Sequence, residues 1–292
     1  MKSGFVSIVG RPNSGKSTLL NYLVGEKVSI VTDKPQTTRH LVRGIVTKPA
    51  GQIVFLDTPG IHKPVHRMNE RMMKAARNAM ADVDLILLIV DVSAAFGRGD
   101  EFTLELLKPI AAKKFLLLNK IDLVEKKKLL PMIDRYSKAG NFEEIIPISA
   151  LTGENLEIAV EQIFKHLPEG PMFYPADQIS DQQERAIAAE MIREKLIVST
   201  EEEMPYSTAV VIDKFEEDEK LHRIYASIFV ERDSQKAIVI GKAGQRLKQI
   251  GIEARQELEA FFGRKVFLEL HVKVKKHWRD DEETLRSLGL GE

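Results

Sequence analysis

The 292-residue chain carries 29% charged and 43% apolar side chains, ordinary proportions for a folded globular protein, and it is long enough for two domains. Its 43 basic and 43 acidic residues cancel, so a polyanionic partner has to be met by a local patch rather than by the whole surface. Cysteine is absent, which excludes disulfides and thiolate metal centres and suits a reducing compartment.

The apolar run Phe5 to Val9 predicts a strand, and Thr18 to Val24 is compatible with a helix. Between them lies Gly10-Arg11-Pro12-Asn13-Ser14-Gly15-Lys16-Ser17. Strand, G-x-x-x-x-G-K-S and helix in that order form a phosphate-binding P-loop. The small residues Gly10, Ser14 and Gly15 let backbone N–H groups turn toward phosphate oxygens. Lys16 brings an ammonium to the outer phosphates, and Ser17 offers a hydroxyl to Mg2+ where the helix begins with Thr18. The Asn13 carboxamide oxygen is a candidate for holding K+ against the phosphates, with a loop-shaping hydrogen bond as the competing role. The P-loop follows the N-terminus too closely for a cleavable signal, and Asp84 to Val90 is too short to span a bilayer, so a cytoplasmic location is expected.

Val28 to Arg39 has neither helix nor strand periodicity and contains Pro35-Gln36-Thr37-Thr38-Arg39. Such a loop can bring a hydroxyl to Mg2+ and an N–H to the third phosphate, and Thr38 is chosen for this over Thr37. Leu41 to Thr47 and Gln52 to Leu56 predict paired strands, the second running into Asp57-Thr58-Pro59-Gly60. Asp57 is placed to hold Mg2+ through water, and Gly60 to donate to the terminal phosphate. Ile61 stands where many GTPases carry a water-orienting glutamine, so intrinsic turnover is expected to be low. His62 and His66 are assigned to this switch region and not to zinc.

Asp84 to Asp91, Lys114 to Leu118 and Glu144 to Ile148 predict further strands; Asp100 to Leu107 and Glu157 to Leu167 predict helices. Asn119-Lys120-Ile121-Asp122 follows the second of these strands. The Asp122 carboxylate matches the two donors of a guanine edge, which adenine does not present, and Asn119 is expected to brace the base-binding loops and contact the ring. Ser149-Ala150-Leu151 follows the last strand, with the Ala150 N–H assigned to the guanine carbonyl. The alternation predicts an α/β P-loop GTPase domain with a mostly parallel sheet over residues 1–170, its ligand loops on the carboxyl rim.

Residues 171–180 read as a linker. Asp181 to Leu196 predicts a helix, and Tyr206 to Phe215 with Ile224 to Val230 a hairpin. Ile238-Val239-Ile240-Gly241-Lys242-Ala243-Gly244-Gln245 then enters a helix from Arg246 to Phe261 and a strand from Val266 to Lys273. A G-x-x-G loop in that setting clamps single-stranded nucleic acid beside an apolar groove, which predicts a smaller α+β, KH-like RNA-binding domain over residues 181–280 and a tail over 281–292. Residues 236–279 hold 11 basic and 4 acidic side chains, net +7, within an otherwise acidic half. Ile240 to Arg246, Lys248, Lys273 and Lys275 are the candidate RNA contacts, and Trp278 is left between stacking on a base and packing in the core.

Taken together, these motifs resemble the bacterial Era family of GTPases over nearly the full length, which implies a Ras-like GTPase domain followed by a KH type II domain. The resemblance implies GTP hydrolysis with Mg2+, binding of the 3' end of 16S rRNA by the KH domain, a role in small-ribosomal-subunit maturation, and loose peripheral association with the inner membrane; a monomer is a separate expectation. The residues alone leave open another ribosome- or tRNA-associated GTPase, or a membrane-peripheral one whose second domain binds protein.

Overall fold

A computed structural model describes residues 1–61, 66–200 and 204–290. The chain divides into two units, Met1–Pro64 with Met72–Asp181, and Val65–Arg71 with Gln182–Glu292.

The elements up to residue 181 are β1 (Lys2–Val9), α1 (Lys16–Val24), β2 (Val42–Lys48), β3 (Gly51–Asp57), α2 (Arg67–Ala81), β4 (Leu85–Asp91), α3 (Arg98–Leu107), β5 (Lys113–Asn119), α4 (Leu129–Ala139), β6 (Glu144–Ile148) and α5 (Leu156–His166). One sheet runs β2-β3-β1-β4-β5-β6, with only β2 and β3 antiparallel. The centre of this sheet is covered on both faces, which is why β4 and β5 read as unbroken apolar strings. Leu19, Leu20, Val160 and Ile163 fill one side against Val6, Phe55 and Leu117. Met73, Met80, Leu104 and Tyr136 fill the other against Leu88 and Leu118. The register aligns Ile8 with Asp57 and Asp91 with Asn119, so the predicted ligand loops emerge along one rim. Helix α4, not anticipated from the sequence, turns its buried Tyr136 toward the sheet.

The stretch read as a linker, residues 171–180, is laid against the antiparallel edge. Ile45 N–H donates to the Ile179 carbonyl at 2.8 Å, and the fully buried Gln52 side chain accepts from the N–H groups of Phe173 and Tyr174. Its Nε2 donates to the Tyr174 carbonyl, and Phe173 packs on Phe5 with ring centroids 4.7 Å apart. The first unit therefore extends to Asp181.

The later elements are α6 (Glu184–Val198), α7 (Met204–Ser207), β7 (Ala209–Glu217), β8 (Leu221–Val230), α8 (Asp233–Ile240), α9 (Gln245–Phe262), β9 (Lys265–Val274) and α10 (Glu282–Ser287). The expected hairpin is β7 and β8; β9 joins β8 in parallel after the α8–α9 crossover. Ile187, Met191 and Leu196 of α6 pack with Ile250, Ala254 and Leu258 of α9 over one sheet face. This is the α+β architecture expected of the second domain.

Candidate functional site

The P-loop owes its shape to a few enforced conformations. Gly15 adopts φ +100, and a Cβ there would lie 2.2 Å from Asn119 Nδ2, so only glycine fits. Asn13 is also left-handed, at φ 61, and its Nδ2 donates to the Asp33 carbonyl at 2.5 Å, tying the P-loop to the following loop. Lys16 is buried and donates to the Arg11 carbonyl at 2.9 Å and the Gly10 carbonyl at 3.3 Å. Burial pulls its pKa down to about 8, partly opposed by the Asp57 charge. Burial pushes Asp57 upward, opposed by Lys16 and by hydrogen bonds from Ser17 and Ser29. A cleft of about 300 Å3 lies over these groups, lined also by Thr18, Thr38, Gly60 and Lys120.

The hydroxyls of Ser17 and Thr38 lie 2.8 Å apart, and Ser17 donates to Asp57 Oδ2 at 2.7 Å. Thr37 instead bonds within its own loop, to Thr32 and the Lys34 carbonyl. Asp57 Oδ1 is buried with no hydrogen-bond partner. Two converging hydroxyls beside an orphaned carboxylate oxygen are the donor set of a hard, oxygen-ligated cation, and they fit Mg2+. Ile61 is buried among Val9, Met73 and Leu88, and its N–H donates to the Gly10 carbonyl at 3.1 Å. Its side chain serves the core. His62, assigned above to the switch, lies outside the described residues.

Asn119 braces the rim: its Nδ2 donates to the Ser14 carbonyl and its Oδ1 accepts from Ala150 N–H, both at 2.8 Å. This differs from the expected base contacts. The Ala150 amide assigned to a guanine carbonyl is taken by Asn119, and the carboxamide expected at the ring is used on both sides for bracing. Lys120 pairs with Asp91 at 2.6 Å, while Asp122 is exposed in a short 3-10 turn and Leu151 is exposed beyond the buried Ser149. Sequence reasoning missed Ser29, Asp91 and Asn21, since none of them belongs to a recognisable motif.

In the second unit, α8 ends at Gly241, φ 72, and the turn Lys242–Gly244 leads into α9. Ala243 and Gly244 are both left-handed, exposing the loop backbone. Lys242, Gln245 and Lys248 are exposed; Arg246 is exposed too but donates to the Ile238 carbonyl at 2.6 Å, and Ile240 packs against the core. A groove of about 420 Å3 runs from Gly244 along Leu247, Lys248, Gly251, Ile252 and Arg255 of α9 and Leu268 to Leu270 of β9. Most of these were missed, because a half-exposed apolar helix face reads as core in the sequence.

Two of the expected RNA contacts are not brought to this groove. Lys273 alternates with the buried Val272, so it projects from the opposite sheet face, where it lies 3.6 Å from Asp213. Lys275 pairs at 2.8 Å with Asp281, the residue that caps α10. Trp278 is fully buried, with Nε1 donating to the Ser207 carbonyl at 3.0 Å, which settles its role as packing.

Comparison with known proteins finds a match for each of the two units. Residues 5–120 match the model described as 50S ribosome-binding GTPase, and residues 203–279 match that of the KH domain. GTPase Era of Staphylococcus haemolyticus is 50% identical over 290 residues, 99% of this chain and 97% of its own; that of Heliobacterium modesticaldum is 50% identical over 293, covering 100% and 98%. Among solved structures, Era in complex with MgGDPNP and nucleotides 1506-1542 of 16S ribosomal RNA matches with a TM-score of 0.97 at 44% identity, covering all of both chains. A variant of Aquifex aeolicus Era bound to GDP.AlF4- matches with a TM-score of 0.96 at 43% identity, also over all of both chains. The chain belongs to the Era family of GTPases.

Proposed function

We propose that this GTPase is a nucleotide-operated switch that binds the 3' region of 16S rRNA through its KH-type domain and assists maturation of the small ribosomal subunit. The observation that carries the reading is the presence, in one chain, of an oxygen-donor phosphate cradle and a G-x-x-G groove. The full-length similarity to an Era crystallised with both MgGDPNP and rRNA supports it.

In this reading Lys16 and the P-loop amides hold the outer phosphates and stabilise the charge that develops on them during attack by water. Ser17, Thr38 and Asp57 would hold Mg2+, which neutralises phosphate charge when bound. Thr38 and Gly60 sense the third phosphate, so that its loss releases their loops. Asn119, Lys120 and Asp122 with Ser149 to Leu151 form the guanine end. Gly241 to Gln245 and Lys248 clamp the RNA backbone while Leu247, Ile252 and Leu270 receive bases. Asn13, whose Nδ2 is already anchored on Asp33, would use its carbonyl oxygen toward K+.

The reading extends to a cytoplasmic monomer with peripheral attachment to the inner membrane; among the described residues no helix is long and apolar enough to cross one.

The test is binding of a 16S rRNA 3'-end oligonucleotide and a scrambled control at fixed salt, in the GTP-analogue and GDP states. Sequence-dependent affinity that changes with nucleotide is expected. Weak binding of both RNAs in both states would overturn the reading. For the K+ site, equal turnover in K+ and Na+ at matched ionic strength would remove that assignment.

A further inference from the structure

Ser29 belongs to no nucleotide-binding motif, yet it is buried and donates its hydroxyl to Asp57 Oδ2 at 3.1 Å. That oxygen also accepts from Ser17, leaving Oδ1 as the buried atom without a partner. Ser29 is itself held from α1. Asn21 Oδ1 accepts from the N–H groups of Val28 at 3.0 Å and Ser29 at 2.9 Å, and Asn21 Nδ2 donates to the Ser29 carbonyl at 2.7 Å. Three hydrogen bonds from one carboxamide thus fix the entry of the loop that later carries Thr38.

A carboxylate on a short side chain rotates about two bonds. With Oδ2 occupied by two hydroxyls that come from separate elements, the carboxylate plane is defined and Oδ1 is the oxygen left for the cation or its water. Ser17 alone cannot supply this constraint, because its hydroxyl must also meet the cation and Thr38. The Asn21 clamp lies nine residues and more before Thr38, and its partners are all protein atoms. It therefore persists when Thr38 withdraws.

We infer that Ser29, held by Asn21, is a positioning residue for Mg2+ that orients Asp57 equally in the diphosphate and triphosphate states. The inference rests on the nucleotide-site reading above. It separates two kinds of support in one loop: a fixed one at Ser29 and a nucleotide-dependent one at Thr38.

The experiment uses the full chain and measures the Mg2+ concentration that half-slows release of fluorescent GDP, and of a fluorescent non-hydrolysable GTP analogue. Release in excess EDTA is measured in parallel. Ser29→Ala is expected to raise the half-effective Mg2+ concentration about tenfold with both nucleotides while leaving release in EDTA unchanged. Ser29→Thr, which keeps the hydroxyl, should restore the parent value, and Asn21→Ala should act in the same direction as Ser29→Ala. Thr38→Ala should shift the triphosphate analogue far more than GDP.

An unchanged Mg2+ dependence in Ser29→Ala would overturn the inference. So would an equal acceleration in EDTA, since that is a general loosening of the site, and so would a shift confined to the triphosphate. If the parent protein itself released GDP without regard to Mg2+, the nucleotide-site reading would fail together with the inference.

Discussion

Burial sets Lys16 against its own charge. Its ammonium is buried on two backbone carbonyls, and its pKa of about 8 lies below the ordinary 10.5. The unfolded chain therefore binds more protons between those two values, so this residue's contribution to stability is least favourable below about pH 8 and improves as pH rises toward 10.5. Lys16→Met should abolish tight GTP binding and remove this residue's share of the rise in stability of the nucleotide-free protein between about pH 8 and 10.5 in urea unfolding; an undiminished rise in the variant would contradict the assignment. Asn119 acts through hydrogen bonds instead. Asn119→Ala strands the Ser14 carbonyl and the Ala150 amide, at about 1–3 kcal/mol each, and should lower both the urea midpoint and GDP affinity. Both residues were legible as site residues because they sit inside contiguous motifs. That Asn119 braces the base-binding loops was legible from its motif; its particular partners, Ser14 and Ala150, were not, since they lie 105 and 31 positions away.

At the scale of elements, the sheet faces decide which basic residues can meet RNA. Strand β9 sends Leu268 and Leu270 to the groove beside α9 and Lys273 to the other side, a consequence of the two-residue period of a strand. Lys242→Glu should weaken oligonucleotide binding about tenfold or more and flatten its salt dependence, whereas Lys273→Glu should change it less than about twofold. Equal losses, measured by anisotropy titration at several salt concentrations, would return Lys273 to the interface. Charge counting along the sequence placed both lysines in one basic stretch. It could not distinguish them, because net charge carries no information about face, and Asp213, which lies beside Lys273, belongs to the distant β7.

Across the whole molecule, the boundary between the two units is set by contacts rather than by composition. The proline-bearing stretch after Gly170 has the composition of a linker, but Gln52 holds it to the first unit by three hydrogen bonds. Gln52→Ala should lower stability by about 2 kcal/mol or more in thermal or urea unfolding and should increase proteolysis between residues 171 and 180. A neutral effect would show that the stretch is held by its other contacts alone. Helices α2, α4, α7, α8 and α10 escaped the sequence reading, whereas the order of the strands, the P-loop, the guanine-end motif and the G-x-x-G loop were determined by the sequence itself. Each is a local pattern whose spacing directly specifies a backbone shape. The tertiary structure alone decided that Ser29 supports Asp57, that Gln52 holds the linker stretch, that Lys273 and Lys275 are paired elsewhere and that Trp278 is core. Those outcomes depend on strand register and on long-range hydrogen bonds, which bring together residues that no local pattern connects.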